Sequence, residues 1–201
     1  IDGEDLRSPY WGVAVDPNGM IHLSWMWRDT PDVATNHDLA YACSRDGGQT
    51  WARSDGTPCV LPMTLANAEY ALRIGRNSNL MNPPMVTADV DGHPYLVAYW
   101  SSPPEAAPRF HIVWHDGRQW SVMAGPAQPT AFVLSGTGTR RPPLSRPVAV
   151  VQISGNRRVI CLVYRDDSRG GRVIGAIGDL TTGAWQEREL TTSGLGAWEP
   201  A

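Results

Sequence analysis

The eight residues Ser44-Arg45-Asp46-Gly47-Gly48-Gln49-Thr50-Trp51 constrain the fold of this chain more than any other stretch. They read Ser-x-Asp-x-Gly-x-Thr-Trp, with five positions in eight specified. Asp46 can bond the backbone just ahead of it, and the two glycines are free to take positive φ. The pattern is therefore that of a tight turn joining two antiparallel strands, with Trp51 plugging the sheet beside it. A turn of this kind is a structural staple and carries no chemistry of its own.

The turn recurs in worn form. His115-Asp116-Gly117-Arg118-Gln119-Trp120 and Asp179-Leu180-Thr181-Thr182-Gly183-Ala184-Trp185 follow the same logic, and the tryptophans at 51, 120 and 185 are spaced by 69 and 65 residues. Three β-rich runs in phase with them end in a turn glycine: Val13 to Gly19, Val86 to Gly92 and Val148 to Gly155. An apolar, partly alternating run follows each: Ile21 to Trp27, Tyr95 to Trp100 and Val159 to Tyr164. A residue followed by proline opens each unit, at Ser8-Pro9, Asn82-Pro83, Arg146-Pro147 and again at Glu199-Pro200, where the missing proline N–H suits the first position of a strand. Each unit reads as strand, glycine turn, strand, longer loop, strand, Asp turn, strand, which is a four-stranded propeller blade. With 17 prolines, 20 glycines and no convincing 3.6-residue apolar period, the chain is all-β. The expected organisation is a single partial β-propeller domain over 1–201, with blade units of about 8–81, 82–145 and 146–198 and a stub at 199–201. Propellers close with four to eight blades, so three and a stub lead us to expect a longer parent; the Ile start agrees with that, although leader removal would also produce it.

Charge and cysteines exclude several classes. The net charge is −3 without a run of like charges, so neither nucleic acid nor an anionic membrane is an expected partner. No apolar stretch approaches the roughly 20 residues of a bilayer span. Cys43, Cys59 and Cys161 lack metal-ligand spacing, so no metal site is expected, and nothing in the residues requires a cofactor.

In a propeller the start of each innermost strand lies beside the end of the second strand, near the channel, and the Asp turns lie at the opposite end. That rule gives a ring: Ser8, Tyr10, Trp27, Arg28 and Asp29 from the first unit, Asn82, Tyr99, Trp100 and Ser101 from the second, Arg146, Tyr164, Arg165 and Asp166 from the third, and Glu199. Arg, Tyr, Trp and Asn together suit an anionic, hydroxyl-rich ligand, through forked hydrogen bonds and stacking. The competing expectation is that Arg146 and Arg165 pair with carboxylates such as Asp166 and Asp167 between blades. His37, at the start of the third strand, is a candidate proton acceptor because an imidazole titrates near neutrality.

Ile21-His22-Leu23-Ser24-Trp25-Met26-Trp27-Arg28, the segment Asn36-His37-Asp38-Leu39-Ala40-Tyr41-Ala42 and the turn that follows resemble the BNR-repeat, or Asp-box, family of β-propellers that includes the propeller-type ulvan lyases. Leu144-Ser145-Arg146-Pro147 and Trp198-Glu199-Pro200 resemble that family's blade starts. The resemblance implies a seven-bladed parent that cleaves an acidic, uronate-containing polysaccharide by β-elimination. In that chemistry a cation or hydrogen-bond donor neutralises the uronate carboxylate, a His or Tyr takes the C5 proton, and an acid, often Tyr, protonates the departing oxygen. It matches Tyr10 to an active-site tyrosine, with His37, Arg28, Asn82 and Arg146 lining or neutralising, and it puts the family's principal catalytic His and a Tyr/Arg pair in blades that precede this region. The partner it implies is an acidic polysaccharide or oligosaccharide, and a secreted or periplasmic location agrees with such polymers lying outside cells. Two other classes share the fold. A sialidase-like hydrolase would use Arg28, Arg146 and Arg165 as a carboxylate clamp with Tyr10 and Glu199, although the early Arg-Ile-Pro of such enzymes is missing. A non-catalytic carbohydrate-binding propeller would show an aromatic face without a competent base.

Overall fold

A computed structural model describes residues 1–103, 106–129, 131–155, 157–194, 196 and 199. Twelve strands form three four-stranded antiparallel sheets. The first holds β1 (Ser8–Val15), β2 (Ile21–Arg28), β3 (Asn36–Ser44) and β4 (Glu69–Leu72). The second holds β5 (Met85–Ala88), β6 (Pro94–Trp100), β7 (Arg109–His115) and β8 (Trp120–Ala124). The third holds β9 (Val148–Ser154), β10 (Arg157–Asp166), β11 (Arg172–Asp179) and β12 (Trp185–Glu189). In each sheet spatial order follows chain order, so these are consecutive propeller blades. No α-helix occurs among the described residues; two single-turn 3₁₀ segments lie in loops. Of the fourth proline-led start, Glu199-Pro200, Pro200 lies outside the described residues.

Strand alternation sorts the apolar side chains into two inter-blade cores. Met26, Leu39 and Tyr41 of the first blade meet Val86, Leu96, Trp100 and Val113 of the second. Tyr95, Tyr99, Phe110 and Ile112 of the second blade meet Ile160, Leu162, Tyr164 and Ile174 of the third.

The turn chemistry repeats as well. Asp46 accepts from the Thr50 N–H at 2.9 Å and from its hydroxyl at 2.6 Å, while Gly47 and Gly48 take φ of 71° and 89°. Asp116 accepts from the N–H groups of Arg118 and Gln119, and Asp179 from those of Thr181 and Thr182. The tryptophan after each worn turn reaches back one blade: Trp120 Nε1 donates to Glu69 at 2.9 Å, and Trp185 Nε1 to the Ala124 carbonyl at 3.0 Å. The turns thus staple neighbouring blades, a use their spacing alone does not reveal.

In the first blade the outermost strand does not follow the Asp turn directly, contrary to expectation. Ala52 makes only isolated bridges to Cys43 and Pro58, and the chain then wanders through 53–68 before β4. That excursion lays Met63, Cys59 and Leu65 over Trp25, Trp27, Ala40 and Ala42. Burying this apolar face is the physical reason for the insertion, and it leaves every residue of β3 buried. The same face of β1 keeps Trp11, Val13 and Val15 exposed, and the far face of the third blade exposes Val150 and Ile177.

Candidate functional site

Each innermost strand begins beside the end of the second strand. Ser8 pairs with Arg28, the Met81 N–H donates to the Tyr99 carbonyl, and the Ser145 N–H to the Arg165 carbonyl. At the junction of the first two blades this juxtaposition assembles a cluster around Arg28. Its Nε donates to Asn36 Oδ1 at 2.8 Å, Nη1 to the Tyr10 hydroxyl at 3.1 Å, and Nη2 to Asn82 Oδ1 at 2.5 Å. The guanidinium carbon also lies 4.2 Å from the Tyr10 ring centroid, a cation–π contact. Asn36 is fixed in turn by bonds from Nδ2 to the Leu80 carbonyl and to Asn82. A guanidinium has five N–H donors, so two remain uncommitted. Among the described residues Arg28 makes no ion pair. The connection between β8 and β9 is tied to the loop that follows Arg28: the Val33 N–H donates to the Gly136 carbonyl, and the Gly136 N–H to Asp32.

Asn36 was the residue that sequence reasoning passed over in favour of its neighbour. Asn36 pairs with Arg28 across β2 and β3 and shares its face, while His37 pairs with Trp27 and points to the other side. Strand parity carries that signal. His37 is buried, with Nδ1 at 3.0 Å from Asp38 and Nε2 at 3.3 Å from Asp29. Both ring nitrogens lie beside carboxylates, so the folded chain engages the expected proton acceptor in a network of its own. Asp38 also accepts from the Ile74 N–H and from Arg73, and Asp29 from Arg76. Burial opposes ionisation of Asp38, but the bonds from His37 and Ile74 outweigh it and hold the carboxyl below its ordinary range. His37 therefore sits within a hydrogen-bonded network with Asp29 and Asp38, which Arg76 and Arg73 join, at the β2–β3 end.

The remaining ring candidates divide by burial. Trp27 is fully buried, edge-on to Trp25 at 6.1 Å between ring centroids. Tyr99 is closed between Phe110 and Phe132, and Tyr164 donates its hydroxyl to Glu187 from within the core; burial raises both phenols. These three rings offer no face to a ligand, because strand alternation turns Tyr99 and Tyr164 into the core between the second and third blades and Trp27 onto the face that the excursion 53–68 covers. Trp100 is almost as buried and stacks on His111 at 3.8 Å. Arg165 is 2% exposed, donates to the carbonyls of Pro142 and Pro143, and is paired with Asp167. Arg146 makes a forked pair with Glu199 at 2.6 and 2.7 Å. A clamp of three free arginines is thus not what the chain presents.

At the opposite end of the blades, Asp89, Asp91 and His93 bring three potential metal ligands together. Asp89 spends Oδ1 on the N–H groups of Asp91 and His93 and Oδ2 on the Tyr95 hydroxyl, so the group reads as a capped turn. Asp16 caps the equivalent turn of the first blade through Asn18 and Met20.

The architecture has solved counterparts. A polysaccharide lyase described as a PL25 ulvan lyase bound to -[GlcA(1-4)Rha3S]- aligns with 97% of this chain at 12% identity and a TM-score of 0.51. The polysaccharide lyase Uly1 aligns with 95% of it at 15% identity and a TM-score of 0.56. At such identities the likeness is one of fold. The chain spans 53% of the first protein's length and 38% of the second's. No curated protein matches the chain in sequence. Residues 1–126 match the family described as BNR repeat-containing family member, and the chain belongs to that family.

Proposed function

We propose that the Arg28 cluster binds the carboxylate of a uronate unit in an acidic, ulvan-like polysaccharide and that Tyr10 carries the proton in β-elimination beside it. The observation that supports this is the electrostatic state of Arg28. It is a half-buried guanidinium held by three neutral groups, with two donors left and no carboxylate of its own. A cation so placed favours an incoming anion, and a carboxylate accepting two parallel N–H bonds is the geometry that Arg serves best.

The chemistry follows from that contact. Arg28 withdraws charge from the bound carboxylate, which lowers the barrier to breaking the C5–H bond next to it. Tyr10, bonded to the same guanidinium and reacting as its phenolate, takes that proton. The C5 electron pair forms the C4=C5 double bond as the C4–O bond breaks, and the proton passes to the departing glycosidic oxygen. Asn36 and Asn82 are positioning residues: they hold Arg28 from two blades and so make the site depend on blade packing. The solved lyases with this architecture, one of them bound to a uronate-containing saccharide, agree with the reading.

Incubation of the protein with ulvan and other uronate polymers tests it. Growth of the ultraviolet absorbance of the unsaturated uronate supports the lyase. Release of reducing sugar without that absorbance supports a hydrolase, and saturable binding without either product supports a carbohydrate-binding propeller.

A further inference from the structure

Between the second and third blades, at the Asp-turn end and so opposite Arg28, lies a cleft of about 440 Å³. That volume is within the range of small-molecule sites. Trp114 of the second blade and Ile153 and Leu180 of the third give it an apolar lining. Asp91 and Asp116 reach it from the turns of the second blade, and Arg158 from β10 of the third. Strand register fixes two of their neighbours. Ser121 stands opposite Trp114 in the β7–β8 ladder, and Ile153 opposite Arg158 in the β9–β10 ladder.

Folding leaves the polar groups of this cleft unspent. Arg157 pairs with Asp179 at 2.8 Å. Arg158, one position on, shares the strand face of Ile160 and Leu162, which pack toward the second blade, so alternation sends a cation into the seam between blades. It is half-buried, and among the described residues its guanidinium makes no hydrogen bond and no ion pair, although two carboxylates line the same cleft. Asp116 gives Oδ1 to the N–H groups of Arg118 and Gln119 and keeps Oδ2, and the Asp91 carboxylate is unbonded. The turn tryptophans Trp51, Trp120 and Trp185 donate their indole N–H to Gly48, Glu69 and Ala124. Trp114 is half-buried, and its indole N–H has no partner among the described residues. None of these unspent atoms is sealed within the fold, so a ligand can reach them.

The two walls select the ligand. A guanidinium only donates and a carboxylate only accepts, whereas a hydroxyl does both. A ring of vicinal hydroxyl groups therefore bonds Arg158 on one blade and Asp91 and Asp116 on the other, with Trp114 as an apolar surface for its C–H face. A polyanion would gain Arg158 but meet two carboxylates. The N–H groups of Gln119 and Arg118 hold Asp116 below its ordinary range, so it is ionised near neutrality. We infer that this cleft binds a neutral sugar, at a site separate from the Arg28 cluster both in place and in the charge of its ligand. Its support is independent of the reading of Arg28.

Titration with the neutral disaccharides cellobiose, maltose and lactose, followed through the indole N–H resonance of Trp114, tests the inference. Trp114→Phe identifies that resonance by its loss while keeping an aromatic ring in the seam. We expect at least one disaccharide to shift the resonance saturably and glucuronate to leave it in place. Arg158→Gln and Asp91→Asn alter side chains that the fold does not use, and each should weaken the disaccharide ~10-fold, equivalent to one hydrogen bond to a charged group. A response to glucuronate, or to phenylalanine as a zwitterion, in place of the disaccharides overturns the neutral-sugar inference. No response to any of these compounds, or equal binding by the wild type and both variants, removes the site.

Discussion

Arg28 and Arg165 occupy the same place in the repeat, at the end of the second strand of the first and third blades, and the molecule uses them in opposite ways. Arg165 is buried and spends its donors on the carbonyls of Pro142 and Pro143 and on Asp167. Arg28 is half-buried and rests on a phenol and two amides. A fully buried cation must be neutralised where it stands, whereas a half-buried one can keep its charge for a ligand when its neighbours are neutral. One repeat position therefore yields a strut in one blade and, in our proposal, a binding group in another, and the neighbours decide which.

Substitutions at the two positions should separate stability from function. Arg165→Leu strands the Pro142 carbonyl and takes from Asp167 one of its two arginines, Arg141 remaining, and we expect it to cost about 3 kcal/mol, read as a lower urea midpoint; an unchanged midpoint would contradict the strut. Arg28→Gln should leave that midpoint nearly in place and slow elimination ~10²-fold, equivalent to losing one preorganised donor. Retention of full rate by Arg28→Gln ends the comparison. Acid should distinguish the two junctions as well, because all five histidines precede residue 116. His22, His111 and His115 are held below their ordinary range chiefly by burial. For His111 the unfolded chain takes its proton near pH 6.5 and the folded chain only near 4, so the unfolded state holds more protons between those values. Its stabilisation is complete above that window and declines as the pH falls through it, by about 2 kcal/mol from about pH 7 to about pH 5. His111→Phe, which keeps the stack on Trp100, should flatten the pH dependence of the denaturation midpoint; an unaltered slope would place the acid sensitivity elsewhere. The smallest effect belongs to Arg146, 38% exposed in its pair with Glu199, where Arg146→Gln should cost less than about 1 kcal/mol in the same denaturation assay.

The difference between these residues also marks what could be read in advance. Turn chemistry acts over a few neighbours, so Asp46, Asp116 and Asp179 and their tryptophans announced the blades and their spacing. Strand period 2 separates Asn36 from His37, so parity alone puts Asn36 on the face of Arg28 and His37 on the other. The excursion 53–68 was less legible, because its purpose is to cover Trp25 and Trp27, whose exposure depends on packing and not on local pattern.

Local periodicity and turn residues were enough to specify four-stranded antiparallel blades and the end of each blade at which the Asp turns lie. Which arginine stayed free was a matter for the folded molecule. Arg28 meets Asn82 across 54 positions of sequence and Arg146 meets Glu199 across 53. Charge pairing at such separations is set by blade packing, which no local pattern encodes.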